Sequence, residues 1–442
     1  MRIRLFSQKS RHKYDEDPAT VSSTTVNRGI RSISTRLASS LSVNAIIRTI
    51  RRRGIVHRLY LGNSSLGDAG CVRLFEFLDS PAGRECRECL TELFLTQNDI
   101  GPRGLLAVTK FLRNNTVLRE LCLSGNPLTR DPGVIADFVT ALNSSRLCTL
   151  QLLHSSFLSD PFVQAFLPRL ATPYLRQLDM SAINMTRAVV PVIVEYVKSP
   201  LCRLERLQCN ANSLTLPGAR TIINAIDQFN YTLGKVNVDD LHMDEDDGDA
   251  EDRAIAWQES WRILSSTTHR NLVYKAEVRA EALTLLRCCR ALYLRSGNEE
   301  QTRVSRSFAS ISSRRRSSYY LEPSLFFKLP TELQLMVIAF LAPVLSHQQR
   351  MHIVYYAADP TTLPGLSPGP VVQRTRSKHL DIMMRGKNER QPLEGSWRPP
   401  EWWECQCPHA YRSTCFCLRR WKRERKDIWL TQVACDTWQG DC

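Results

Sequence analysis

Near the end of the chain, Cys405-x-Cys407, His409 and Cys415-x-Cys417 bring four thiols and an imidazole into one short stretch. Thiolate sulfur and imidazole nitrogen are the donors that hold zinc tetrahedrally. Cys405, Cys407, Cys415 and Cys417, with His409 beside them, are therefore the candidate metal ligands, and Zn is the one candidate cofactor. C-x-C pairs are tighter than the spacers of about two to four residues common in zinc sites. Free thiols, a disulfide or lipidation are the other readings. Elsewhere the patterns of catalysis are missing: there is no glycine-rich phosphate loop, no G-x-S-x-G and no H-E-x-x-H. The expectation is a chain without catalytic residues. Its function then rests on the elements that display side chains for binding.

Those elements repeat. "LTELFLTQNDI" begins at Leu90 and "LRELCLSGNPL" at Leu118. Both carry leucine at positions one, four and six, asparagine at nine and a large apolar residue at eleven. The frame recurs as Val56, Leu59, Leu61, Leu66, then Leu147, Leu150, Leu152, Phe157, then Leu175, Leu178, Met180, Met185, then Leu204, Leu207, Cys209, Leu214. A weaker copy is Leu233, Val236, Val238, Met243. The starts at 90, 118, 147, 175, 204 and 233 hold one period. The step from 56 to 90 is longer because "DSPAGRECREC" is inserted. The L-x-L core has the period-two alternation of a short strand with one face buried. The second half of each unit has helical spacing, as in Leu105, Val108, Leu112 and in Val134, Phe138, Leu142. Asparagine at position nine can bond the backbone groups left open at the bend after the strand. Asn98, Asn126 and Asn212 form such a ladder, Ser64 and Ser155 are short substitutes, and Ile183 and Leu241 break it.

This pattern resembles the leucine-rich-repeat family, in the ribonuclease-inhibitor-like class with a full helix per repeat. The resemblance spans roughly residues 45–243 and implies an α/β fold: a curved parallel sheet with outer α-helices, followed by a small, mainly helical C-terminal region. It also implies a concave face lined by the residues between the leucines. Among them Tyr60, Glu92, Phe94, Gln97, Arg119, Gln151, His154, Arg176, Asp179, Gln208 and Asn210 are the candidate partner-binding residues. Their signs are mixed and their only aromatics are Tyr60 and Phe94. A nucleic-acid groove would be dominated by Lys and Arg with interleaved aromatics, so a protein partner is the better expectation.

The chain's 442 residues leave room for more than the repeats. Residues 1–42 are basic and Ser/Thr-rich and read as disordered. The repeats occupy 43–243. An acidic linker, "DDLHMDEDDGDAED" at 239–252, leads into two helices, "RAIAWQESWRILSS" and a second over residues 271–296, within 244–295. Leu272, Ala276, Val278, Leu283, Leu286, Cys289 and Leu292 form the second helix's apolar face, placed to cap the open end of the repeats. A Ser/Arg linker (296–320) carries Arg-x-Ser patterns at Ser305 and Ser318, low-specificity kinase sites. A helical segment follows at 321–358, and then a Pro-rich linker with a Cys/Trp/basic C-terminal segment at 359–442. The net charge of +15 is split into basic and acidic blocks, which most simply are solvated linkers. No stretch reaches the twenty or so apolar residues of a membrane span. Fifteen cysteines, an odd number, suit a reducing compartment, cytoplasmic and/or nuclear.

Within 321–358, "LPTELQLMVIAFL" places Pro330 at a helix start, Thr331 as its cap, and Leu333, Val337, Phe340 and Leu341 in an apolar stripe. It resembles the start of an F-box, the helical module that docks on the Skp1-type adaptor of a cullin ubiquitin ligase. The resemblance implies adaptor contacts from Leu329, Pro330, Leu333, Ile338 and Leu341. The second half of an F-box has no clear match here, and the motif follows the repeats instead of preceding them. A competing resemblance is to the GTPase-activating protein of Ran, from repeats of this length followed by an acidic run. It would require a positioned side chain in a bend after a strand, for which Arg103 and Arg130 are the candidates.

Overall fold

In a computed structural model the described residues are 32–34, 43–54, 56–238, 250–305, 325–359, 362, 426–427 and 429–438. Each expected L-x-L core forms a three-residue strand: β2 (Arg58–Tyr60), β3 (Glu92–Phe94), β4 (Glu120–Cys122), β5 (Thr149–Gln151), β6 (Gln177–Asp179), β7 (Arg206–Gln208) and β8 (Lys235–Asn237). A further strand, β1 (Ser32–Ser34), pairs with β2 and lies inside the stretch expected to be disordered. The eight strands form one parallel sheet in chain order. Pairing keeps the frame in register: Leu59, Leu93, Leu121, Leu150, Leu178, Leu207 and Val236 stand opposite one another and are all buried. Parallel neighbours need a crossover. Helices supply it: α1 (Val43–Arg53), α2 (Gly67–Asp79), α3 (Arg84–Arg87), α4 (Pro102–Leu112), α5 (Pro132–Ser144), α6 (Ser159–Phe166), α7 (Val190–Lys198) and α8 (Leu216–Phe229). The short α3 lies in the insertion that lengthens the first repeat.

Leucines at frame positions one, four and six meet the helices' inner faces in one continuous core from Ile46 to Leu264. Phe138, Phe162 and Phe166 stack within it, with ring centroids 6.3 and 4.9 Å apart. The expected Phe157 is not part of it. Phe157 is exposed beneath the Arg130 guanidinium, and its neighbour Leu158 fills the core position instead. Hydrophobic type alone did not distinguish two adjacent apolar residues, because a one-residue shift at the bend exchanges inside for outside.

Asparagines at position nine bond as the frame requires. Asn98 Oδ1 accepts from the backbone N–H groups of Ser64 and Leu66, and Asn126 Oδ1 from those of Asn98 and Ile100. Asn212 does the same for Ile183 and Met185. The break at Ile183 is thus bridged from the next repeat. Around it the local pattern changes: a short 3-10 turn over Arg187–Val189 precedes α7, and Thr186 bridges to Ser213. Leu241 and Met243 lie outside the described residues. One regularity had no signature in residue type. Position eight of the frame has left-handed backbone in six repeats, at Asn63, Gln97, Gly125, His154, Ala182 and Ala211, with φ between 51° and 68°. This turn folds each strand over toward its helix, and only one of the six is the glycine that such a φ favours.

The two helices expected after the repeats are a single helix, α9 (Ala250–Ser305), which continues into the expected Ser/Arg linker. Nothing between its two apolar patches breaks helical geometry. Its first half packs on α8 and β8, covering the end of the repeats. Its second half belongs to a separate core, where Val278, Ala282, Leu285 and Cys289 pack with α10 (Thr331–Leu341), α11 (His347–Ala358) and the C-terminal residues Trp429, Leu430, Val433 and Cys435. Leu272 and Ala276, expected on the buried face, are exposed. The inner face changes azimuth where the helix leaves the repeats for the second core.

Candidate functional site

Alternation along the short strands leaves two rows of side chains on the sheet face away from the helices. At its N-terminal end Tyr60 and Phe94, registered neighbours on β2 and β3, stack with centroids 4.5 Å apart and planes 18° from parallel. The Tyr60 hydroxyl donates to Glu92 Oε2 at 3.3 Å, and Arg58 Nε pairs with the same oxygen at 3.0 Å. Partial burial, reinforced by the Glu92 charge, pushes the Tyr60 hydroxyl above its usual range. Gln151 Nε2 donates to Glu120 Oε1 at 3.1 Å, extending the polar edge of this platform across β5 and β4. The two aromatics and Glu92, expected as partner contacts, are thus brought together as one patch.

Other expected contacts are placed differently. Arg119 turns to the backbone, donating to the carbonyls of Leu118 and Arg146. Gln97 and His154 stand exposed at the left-handed bend, not on the strands. Asp179 Oδ1 accepts from the Ser181 N–H. Gln208 and Asn210 are half-buried near the far end, and the buried Asn210 Oδ1 finds no donor among the described residues. Arg176, just before β6, is taken up by the C-terminal segment: its Nη2 lies 2.6 Å from Asp436 Oδ2.

The second candidate surface is α10. Pro330 is its N-cap residue and Thr331 its first residue, without a capping side-chain bond. The segment "TELQLMVIAFL" is nearly all apolar, so burying one face must leave another in water. Ile338, expected as an adaptor contact, is the residue turned into the core. Leu333, Met336, Val337, Phe340 and Leu341 are exposed, Phe340 at 88%. Pro330 is exposed and Leu329 half-buried at the helix start. Met336 joins a stripe read from sequence without it. The signal was present: a helix apolar on every side needs two partners.

Of the two candidates for the GTPase-activating reading, Arg130 lies in the bend before α5, whereas Arg103, expected in a bend, is inside α4. Arg130 lies over the Phe157 ring, 4.5 Å from its centroid. Arg103 is in the first turn of α4, on the rim of a groove of about 800 Å³ that also includes Asp68, Arg73 and Glu76. Asp68 Oδ1 accepts from the backbone of Gly101 and Gly104 at 2.6 and 2.8 Å, capping α4 from the preceding repeat. Cys405, Cys407, His409, Cys415 and Cys417 lie outside the described residues. Among the described residues no group of His, Cys, Asp and Glu is arranged to hold a metal. No helix among them is long and apolar enough to cross a membrane. No protein-family model matches the chain, and no curated protein matches it.

Proposed function

We propose that this chain is a non-catalytic protein-interaction scaffold built on a leucine-rich-repeat solenoid of the ribonuclease-inhibitor-like class. In this reading the repeats select a protein partner through the sheet face, anchored at Tyr60 and Phe94. Residues 325–345 dock the Skp1-type adaptor of a cullin ubiquitin ligase, which makes the chain a substrate-recognition subunit. One observation carries the reading: α10 exposes five large apolar side chains, while Ile338 is buried and Leu335 half-buried. Amphipathic helix-in-groove recognition uses such an arrangement, with anchors at spacings of three and four, as Leu333, Met336, Val337, Phe340 and Leu341 provide.

The test is a pull-down of purified Skp1-type adaptor by the full chain and by the Leu333→Ala, Phe340→Ala, Leu341→Ala triple variant. Capture by the first and at least a tenfold loss in the second, with an unchanged thermal melt, is the expected result. No capture by the wild-type chain overturns the adaptor reading. Acceleration of GTP hydrolysis on added Ran overturns the non-catalytic one.

A further inference from the structure

The C-terminal residues 429–438 are held as a receptor holds a ligand. Leu430, Val433 and Cys435 are buried against α9 and α11. The segment's polar groups are met by three side chains, Arg176, Arg203 and Gln349. Asp436 Oδ2 accepts from Arg176 Nη2 at 2.6 Å, and Thr431 Oγ1 from the same nitrogen at 3.3 Å. Thr437 Oγ1 accepts from Arg203 Nη1 at 2.8 Å. Gln349 Nε2 donates to the carbonyls of Ala434 and Thr437 at 2.6 and 2.8 Å, fixing the backbone between them. The Trp438 indole packs against Tyr231 and Tyr274, with centroids 4.6 and 5.2 Å away. Arg176, Arg203 and Tyr231 come from the edge of the repeats before β6, β7 and β8. Tyr274 is on α9 and Gln349 on α11.

We propose that this seam is a peptide-recognition site that reads an Asp-Thr-Trp sequence preceded by apolar residues, and that the chain's own residues 429–438 are its occupant, held in cis. Three features distinguish a site from ordinary packing. Its contacts are specific in type: a carboxylate on an arginine, a hydroxyl on a second arginine, an indole on two tyrosines. The carboxylate–guanidinium pair is largely withdrawn from water, with side-chain exposures of 7% and 16%, and such pairs are the strong, selective ones. The segment is also distant in sequence from Ala358, the end of the helix it packs on. An occupant held in its site by non-covalent contacts can be exchanged for a second copy of the same sequence supplied in trans. A free peptide of the same sequence therefore competes with it, and a protein displaying that sequence would dock by displacing the tail. The inference does not depend on the adaptor reading.

The probe is a fluorescent peptide of residues 427–440, kept reduced and titrated into three full-length chains. Asp436→Ala with Trp438→Ala weakens the resident tail and leaves the seam intact. It should bind the peptide at least tenfold more tightly than wild type. Arg176→Ala with Arg203→Ala breaks the seam and should bind at least tenfold more weakly than the tail variant. A tail variant that keeps its far-UV spectrum and a cooperative melt and does not bind overturns the proposal. So does equal binding of a peptide carrying alanine at the positions of Asp436 and Trp438. If the tail variant loses its folded spectrum, hydrogen exchange on the wild-type chain decides. Excess unlabelled peptide should speed exchange in the chain's own residues 429–438, and unchanged exchange overturns the proposal.

Discussion

Asn126 is 1% exposed, and its whole amide is used: Oδ1 accepts from Asn98 and Ile100, and Nδ2 donates to Leu95, Leu123 and Ser124. Removing it strands buried backbone groups, and each such group costs about 1–3 kcal/mol. Asn126→Ala should lower unfolding stability by about 3 kcal/mol, read as a shifted urea midpoint at constant slope. Asn126→Ser should lose less, since Ser155 fills the same frame position in the next repeat and reaches the Leu123 carbonyl. The buried thiols make a second prediction. Burial pushes Cys71, Cys86, Cys209 and Cys435 up to about 12, and Cys202 and Cys289 up to about 11, from an ordinary 9.0. Between those values the folded chain holds protons that the unfolded chain releases. The stability they contribute is complete below about pH 9 and is lost as the pH rises through about 11–12. Urea midpoints should fall with pH over that window, and Cys209→Ala should make the fall shallower. An equal slope in the variant would show that the thiol does not contribute.

At the scale of the element, α10 separates stability from binding within one helix. Ile338 packs against the second core, and truncating such a side chain costs about 2–5 kcal/mol. Ile338→Ala should therefore destabilise the chain by about 3 kcal/mol in chemical denaturation. Phe340→Ala should change stability by less than about 0.5 kcal/mol, because an exposed side chain loses little on truncation, and should weaken adaptor capture. If Phe340→Ala destabilises as much as Ile338→Ala, α10 is covered in solution and its apolar face is not a docking surface. The capping box of α11, in which Ser346 and Gln349 bond each other's backbone, fixes the turn that aims α10.

For the whole molecule, α9 is the joint. At about 1.5 Å per residue its 56 residues span about 84 Å, and it contributes to both hydrophobic cores. A band of ion pairs ties the cores together where it crosses. Lys275 pairs with Glu205, which also faces Arg176, and Arg279 Nη2 lies 3.3 Å from Asp427. Burial lowers the Lys275 ammonium from its usual range and raises the Asp427 carboxyl, so the desolvation cost of both charges is offset only in part by Glu205 and Arg279. Exposed Glu277 lies within this band. Glu277→Pro removes a helical hydrogen bond and crowds the preceding turn, at about 3 kcal/mol or more. It should uncouple the cores and split one calorimetric transition into two. A single transition shifted downward would mean that the ion pairs and the C-terminal segment suffice to couple them.

The sequence by itself determined where the repeats lie, where seven of the eight strands fall and which asparagines close the bends. These follow from backbone periods of 2 and 3.6 residues, which act locally and leave their mark on neighbouring residue types. The all-apolar composition of residues 333–341, Gln334 aside, also announced two buried or bound faces, but not which residue took which. Only the tertiary structure decided that Ile338 turns inward, that Leu158 and not Phe157 enters the core, and that α9 runs unbroken between two cores. It alone showed the left-handed turn shared by residues as different as Gln97, His154 and Ala211, where the bend is imposed by strand and helix on either side and not by the residue that makes it. It alone brought Asp436 and Trp438 to Arg176 and Tyr231. Contacts between segments so far apart are set by how whole elements pack, and packing leaves no periodic trace in the chain.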